Sequence, residues 1–279
     1  LANWSQEGPY ERYINPPMAG RTAKPRTSGV TMVIDKGLGI TQTRDLFDLA
    51  GRYVDYWKLP FGTAHFYPTE ILKKKIALCR AYDMDVYPGG TYLEVAIVQG
   101  ALERFLDRSA ELGFTAIEVS DGTVTLAPLE RRNAITQARS RGFKVVSEVG
   151  KKDTQQKLVY QQVHREIEED LAAGVSHIIV EGRESGTNVG IYNDKGAIQE
   201  DELTKIVNGV KDLSVILWEA PLKTQQEELI VRFGPNVNLG NIPTGEIIAL
   251  EALRNGLRAD TLKNAMPDES ARDRGRMGS

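Results

Sequence analysis

The chain has a single cysteine and only three histidines in 279 residues. Cys79 alone can form neither an internal disulfide nor a cysteine-built zinc site. His65, His164 and His177 stand at no ligand-like spacing, which argues against a histidine-rich metal centre. No apolar run approaches the roughly 20 residues that span a bilayer. The N-terminus, Leu1-Ala2-Asn3-Trp4, shows no charged stretch leading into an apolar core, as a secretory signal would. A cytoplasmic location, away from membranes, is therefore expected. An excess of one charge is missing too: 35 Lys+Arg against 38 Asp+Glu leave a formal net charge of −3. That excludes the basic footprint of a nucleic-acid-binding protein. Any catalysis must rest on carboxylates, lysines and arginines.

What is present is a regular alternation. Short β-branched or aromatic runs occur at Val30–Ile34, Tyr56–Leu59, Asp85–Tyr87, Ala116–Val119, Lys144–Ser147, His177–Val180, Val215–Trp218 and Asn236–Leu239. Amphipathic stretches lie between them. Glu70–Tyr82 and Val98–Leu112 each gather their large apolar residues on one side of a helix. A further helix is expected over Glu246–Asn255. Strand starts recur about every 30 residues, the size of a βα unit with its crossover. Eight such units predict a (β/α)8 TIM barrel of the α/β class. The runner-up, a doubly wound sheet of the dinucleotide-binding kind, lacks a Gly-x-Gly-x-x-Gly turn after the first strand. The expected division is an N-terminal arm over residues 1–28, a catalytic barrel over 29–262 and a polar tail over 263–279.

Barrel enzymes build their active sites where the strands end, and here the strand ends are unlike the strand starts. They carry Asp35-Lys36-Gly37, Lys58, Gly89-Gly90-Thr91, Glu118, Glu148 with Lys151-Lys152, Glu181-Gly182-Arg183, Glu219 and Asn241. The opposite ends show ordinary turns such as Leu112-Gly113-Phe114. Buried carboxylates cost several kcal/mol each unless paired or bound to metal. A ring of Glu118, Glu148, Glu181 and Glu219 therefore calls for cations. Lys58, Lys152 and Arg183 supply part of the charge, and Mg2+ is a natural remainder because it takes oxygen ligands. Gly89, Gly90 and Thr91 offer backbone N–H groups and a hydroxyl as an anion cradle. The whole reads as a site for a small polyanion with a metal. Taken singly, these residues have plainer readings: strand-end glutamates can pair with helices, and Lys151-Lys152 can be solvated. Arg131-Arg132 reads as a helix surface, with Arg131 able to reach a neighbouring subunit. Cys79 reads as core, His164 and His177 as structural, and His65 as the one histidine near the rim.

These blocks together resemble the phosphosulfolactate synthase family. The similarity is carried by Ile34-Asp35-Lys36-Gly37, Tyr87-Pro88-Gly89-Gly90-Thr91, Glu118-Val119-Ser120-Asp121-Gly122, Ser147-Glu148-Val149-Gly150-Lys151-Lys152, Glu181-Gly182-Arg183-Glu184-Ser185-Gly186, Glu219-Ala220-Pro221 and Asn238-Leu239-Gly240-Asn241-Ile242. A last block runs from Leu250 to Thr261. Two places depart from the family pattern. Leu59-Pro60-Phe61 stands where the family has Phe-Gly-Trp, stiffening the loop and removing an indole donor. Gly240 stands where the family has Ala.

The resemblance implies a (β/α)8 barrel and a carbon–sulfur lyase that adds sulfite to phosphoenolpyruvate (PEP) with Mg2+. The product, (2R)-phospho-3-sulfolactate, belongs to sulfonate metabolism, including one route to coenzyme M. It implies Lys152, Lys58 and Asp35 as catalytic candidates, with Lys152 the proton donor. Glu148, Glu181 and Glu118 become candidate metal ligands, with Asp35 as a further one. Arg183, Gly89, Gly90, Thr91, Ser185 and Asn241 become candidate substrate contacts. The expected partners are the small anions PEP and sulfite and further copies of the same chain in a homo-oligomer. The altered loop after Lys58 favours, as an alternative, a different thiol, sulfur or carbon nucleophile. A non-catalytic stress-protection paralogue, akin to the plant heat-tolerance relatives of the family, is the remaining alternative.

Overall fold

The computed structural model describes residues 8–150 and 160–266. Its strands are β1 (Thr31–Ile34), β2 (Tyr56–Leu59), β3 (Asp85–Pro88), β4 (Ala116–Val119), β5 (Lys144–Val149), β6 (His177–Val180), β7 (Ile216–Glu219) and β8 (Asn238–Pro243). Between and after them run α1 (Ile40–Ala50), α2 (Thr69–Ala81), α3 (Gly90–Val98), α4 (Leu102–Leu112), α5 (Pro128–Ser140), α6 (Tyr160–Ala172), α7 (Glu200–Val207), α8 (Lys223–Phe233), α9 (Ile247–Arg254) and α10 (Ala259–Ala265). The strands form one parallel sheet in the order β3-β2-β1-β8-β7-β6-β5-β4. Its edges meet where Thr115 N–H donates to Val86 O at 3.1 Å and Val86 N–H donates to Thr115 Oγ1 at 2.9 Å. The architecture is a (β/α)8 TIM barrel. Among the described residues no helix is long and apolar enough to cross a membrane.

Strand alternation divides the core in two. One set of side chains, Val30, Met32, Tyr56, Tyr87, Ala116, Val146, Ile179 and Leu217, fills the barrel interior. The residues between them, such as Trp57, Val86, Ile117, Val145, Ile178 and Trp218, face the helices. A period of two has a direct consequence for function. The residues two places beyond Tyr56, Ala116, Val146, Ile179 and Leu217 are Lys58, Glu118, Glu148, Glu181 and Glu219. They share the inward face, one layer nearer the C-terminal mouth, and all five are buried.

Local differences from the sequence expectation have identifiable causes. The helix expected over 98–112 is α4, beginning at Leu102; the separate α3, starting within the Gly89-Gly90-Thr91 block, precedes it, and Gly100, with a left-handed φ of 61°, turns the chain between the two. β7 ends at Glu219 and β8 reaches Pro243, one and four residues beyond the hydrophobic runs that marked them. α10 continues to Ala265, past the expected tail boundary at 262.

The N-terminal arm lies under the floor, opposite the mouth. Arg21 forks onto Glu251 of α9 at 2.9 and 3.2 Å, and Arg26 pairs with Asp55 just before β2 at 3.2 Å. Thr22 N–H donates to Asn236 Oδ1, just before β8, at 3.0 Å. Beneath them the fully buried Arg254 donates to the carbonyls of Pro235, Val237 and Val30.

His177 sits on this floor, its Nδ1 3.0 Å from Tyr56 Oη. Burial drives its pKa down to about 4, against a backbone hydrogen bond with Thr27 of the arm. The unfolded chain, titrating near 6.5, therefore binds the proton that the folded chain refuses. Stability from the neutral ring is complete above pH 6.5 and falls as pH drops from there toward 4, by up to about 3 kcal/mol. Urea unfolding of the protein and of His177→Gln checks this. Their stability difference is expected to be constant above pH 7 and to change steadily below 6.5, and a pH-independent difference would contradict it.

Candidate active site

The inward-facing charged layer opens into a cavity of about 820 Å3 at the C-terminal ends of the strands. Lys58, Gly89, Gly90, Thr91, Glu118, Glu148, Glu181, Arg183, Ser185 and Asn241 all line it. So do Glu219, Pro60, Phe61, Gly122 and Thr123. Lys151 and Lys152 lie outside the described residues. His65 is exposed beyond the rim, its Nδ1 3.1 Å from Tyr92 Oη, and does not line the cavity.

Asp35 does not line it either. The carboxylate is wholly buried, with Oδ1 accepting the N–H groups of Gly37 and Leu38, each at 2.8 Å. Oδ2 accepts from Trp57 Nε1 at 3.1 Å and is in ion-pair contact with Lys75 of α2. With both oxygens engaged away from the mouth, Asp35 shapes the turn after β1 and is not placed to meet substrate or metal.

At the centre stands Lys58. Its ammonium is 2.9 Å from Glu118 Oε2 and 3.2 Å from Glu219 Oε1. Burial works against the charged amine, but Glu118 and Glu219 outweigh it and hold the pKa well above the ordinary lysine value. Both glutamates also accept backbone N–H groups. Glu118 Oε1 takes Gly90 N–H at 2.8 Å and Glu219 Oε2 takes Gly182 N–H at 3.0 Å. The Gly90 amide of the expected anion cradle is thus already capped by Glu118, which occupies the positive end of α3. Close approach explains the glycine. A Cβ at Gly90 would stand 2.4 Å from Ser120 Oγ and 2.7 Å from Glu118 Oε1.

Glu148, Glu181 and Glu219 each offer a carboxylate oxygen, and these atoms lie within 4.8 Å of one another. Two unit charges at that distance repel by about 3.5 kcal/mol at an effective dielectric of about 20. Burial, followed by the other carboxylates acting against Lys58, raises the pKa of Glu219. Three buried carboxylate oxygens converging at this range form a hard donor set of the kind a divalent cation takes. Glu118, expected among the ligands, is not part of this group of three, whose oxygens converge from β5, β6 and β7. Glu219 takes its place. Asn241 Oδ1, buried in the same wall, has no hydrogen-bond partner among the described residues, while its Nδ2 donates to Arg183 O at 3.2 Å. Arg183 N–H donates to Glu181 Oε1 at 2.7 Å. Among the described residues no carboxylate pairs with the Arg183 guanidinium, which leaves it open to an anion.

Of the left-handed non-glycine residues described, three lie at this mouth. Phe61, Arg183 and Asn241 take left-handed φ values of 58°, 56° and 52°, at a cost of order 1 kcal/mol or more each. Phe61, in the loop that departs from the family pattern, is 55% exposed at the cavity edge.

Two charged residues behind the site, Glu94 and Lys75, escaped the sequence expectation, and a third was misplaced. Glu94 on α3 and Lys75 on α2 are buried, and so is Arg131, which overturns its expected place on a helix surface. Arg131 shares the buried face of α5 with Ala134, Ile135 and Ala138, a spacing visible in the sequence.

Fold and site together define a (β/α)8 barrel with a cluster of buried carboxylates, a lysine and an arginine at the C-terminal mouth. The family model of (2R)-phospho-3-sulfolactate synthase (ComA) matches residues 19–260. The phosphosulfolactate synthase of Methanothermobacter thermautotrophicus is 42% identical over 252 residues, covering 90% of this chain and 96% of that protein. That of Methanocaldococcus jannaschii is 41% identical over 235 residues, covering 84% and 93%. The chain belongs to the phosphosulfolactate synthase family. Among solved structures, 3-hexulose-6-phosphate synthase from Salmonella typhimurium superposes with a TM-score of 0.52 at 14% identity, covering 82% of this chain and 100% of that one. That likeness speaks for the fold alone.

Replacing Lys75 by Met strands the Asp35 carboxylate in the core without its counter-ion. Urea denaturation is expected to show a loss of about 3–5 kcal/mol, partly recovered by adding Asp35→Asn. A loss below about 1 kcal/mol would show that the pair does not hold the turn.

Proposed function

We propose that this enzyme adds sulfite to the methylene carbon of PEP, with Mg2+ held by Glu148, Glu181 and Glu219. The observation that carries the reading is the trio of buried glutamates lining the same cavity as the Arg183 guanidinium, which pairs with no carboxylate among the described residues. Three carboxylate oxygens are a hard donor set, the kind Mg2+ accepts while keeping waters for substrate. An idle site would have no reason to retain carboxylates that repel one another at this range.

As sulfite forms the carbon–sulfur bond, the alkene electron pair moves toward the carboxylate of PEP, and a proton then reaches the carbon that bears phosphate. When bound, Mg2+ supplies Lewis-acid stabilisation of the charge that develops on that carboxylate. Arg183 offers a bidentate fork to phosphate, carboxylate or sulfite. Lys58, locked as an ammonium, fixes Glu118 and Glu219 and contributes positive potential without giving up its proton. Lys152 remains the proposed donor of the proton, and its carbon-bound destination makes the addition stereospecific. Ser185 and the Asn241 amide stand on the wall beside Arg183 as further substrate contacts.

The test is incubation with PEP, sulfite and Mg2+, with phosphosulfolactate followed by mass spectrometry. Product is expected, with Lys152→Ala lowering kcat by 10²-fold or more while PEP still binds. Full activity in Lys152→Ala would remove that residue from the mechanism. Pro60 and Phe61 at the cavity edge favour one second reading, a different nucleophile. PEP consumed with a thiol but not with sulfite would select it.

A further inference from the structure

We propose that Arg131 is a positioning residue of the carboxylate site, fixing from behind the barrel wall both the strand end that carries Glu148 and the cavity wall at residues 121–123. The inference rests on the reading of the glutamate trio as a cation site. Arg131 is 5% exposed on α5 and does not line the cavity. Its Nη2 donates to the main-chain oxygen of Glu148 at 3.0 Å, and its Nη1 to Asp121 Oδ1 at 3.2 Å. Asp170 of α6 orients the guanidinium, accepting from Nη2 at 2.6 Å and from Nε at 3.1 Å.

The Glu148 carbonyl is where the sheet runs out. In the parallel ladder successive carbonyls point to opposite neighbours. Val149 O accepts Glu181 N–H at 3.1 Å on the β6 side, so Glu148 O faces β4. The β4 register pairs Val119 with Ser147 and ends there. Arg131 supplies the donor that β4 no longer can, and so orients the last peptide before the loop that follows β5. Its other arm holds Asp121, next to Gly122 and Thr123 of the cavity wall. On the far flank of that wall, buried Glu94 accepts Thr123 N–H at 3.0 Å, Val124 N–H at 2.7 Å and the Ser120 hydroxyl. A cation and an anion, neither in the cavity, thus hold one wall from two sides. A lysine could satisfy Asp170 alone, but only a planar fork reaches three groups from three elements at once.

The test is Mn2+ titration of the full chain and of Arg131→Lys, with amide exchange read at residues 122–124 and 148–150. Arg131→Lys is expected to unfold cooperatively, bind Mn2+ 10–100-fold more weakly and exchange faster at those amides. Asp170→Asn, which loosens the guanidinium without removing it, is expected to show a smaller loss of three- to tenfold and serves if Arg131→Lys does not fold. Arg132→Lys, at the exposed neighbour, is expected to bind as the unaltered protein does. Mn2+ affinity within twofold of the unaltered protein in both Arg131→Lys and Asp170→Asn, whatever their stability, would overturn the positioning role alone. Absence of Mn2+ binding by the unaltered protein would overturn the cation reading and this inference together.

Discussion

A single buried ammonium holds the mouth of this barrel in order. Lys58 projects from β2 between Glu118 of β4 and Glu219 of β7, joining strands from different sides of the barrel. Desolvation of such a group costs several kcal/mol, and it is met only because two carboxylates stand within salt-bridge distance. Each of those carboxylates then reaches one backbone amide, Gly90 at the start of α3 and Gly182 after β6. The lysine thereby sets two loops as well as two side chains. It also ties the site together. Glu219, one of its two carboxylate partners, meets Glu148 and Glu181 at the cavity wall, where the three offer oxygens within 4.8 Å of one another. The proposed metal rests on that convergence of hard donors.

Function and support occupy opposite ends of the barrel. On the floor, cations meet carbonyls and carboxylates: Arg254 with three carbonyls, Arg21 with Glu251, Arg26 with Asp55. At the mouth, the Arg183 guanidinium, Asn241 Oδ1 and the glutamate trio gather around the cavity instead. The left-handed conformations of Arg183 and Asn241 fall at the mouth as well, tied to each other through the Arg183 carbonyl. Local strain of that kind persists where surrounding contacts over-determine it, which here they do.

The barrel and most of its mouth were legible in the sequence because both follow from a period of two. Once the interior positions of β4 to β7 are assigned, Glu118, Glu148, Glu181 and Glu219 must face inward at one level. What was illegible depended on partners far away in the chain. Asp35 stands in the right block at the end of β1, yet Lys75, forty residues on, turns it away from the mouth. That Glu219 and not Glu118 meets Glu148 and Glu181 is a matter of distance across the barrel and not of pattern. Lys75 and Arg131 each sit in an otherwise apolar helical stripe, where a charge reads as surface unless its counter-ion is known. The break between α3 and α4 had a local signal in Gly100.

The most direct measurement is the stoichiometry and ligand set of the divalent cation, followed by Mn2+ binding to the full chain and to single Glu→Gln variants. The account predicts one Mn2+ per chain, with affinity reduced at least tenfold by Glu148→Gln, Glu181→Gln or Glu219→Gln and far less by Glu118→Gln. Affinity that survives loss of any one of the trio, or that depends on Glu118 above the others, would contradict it.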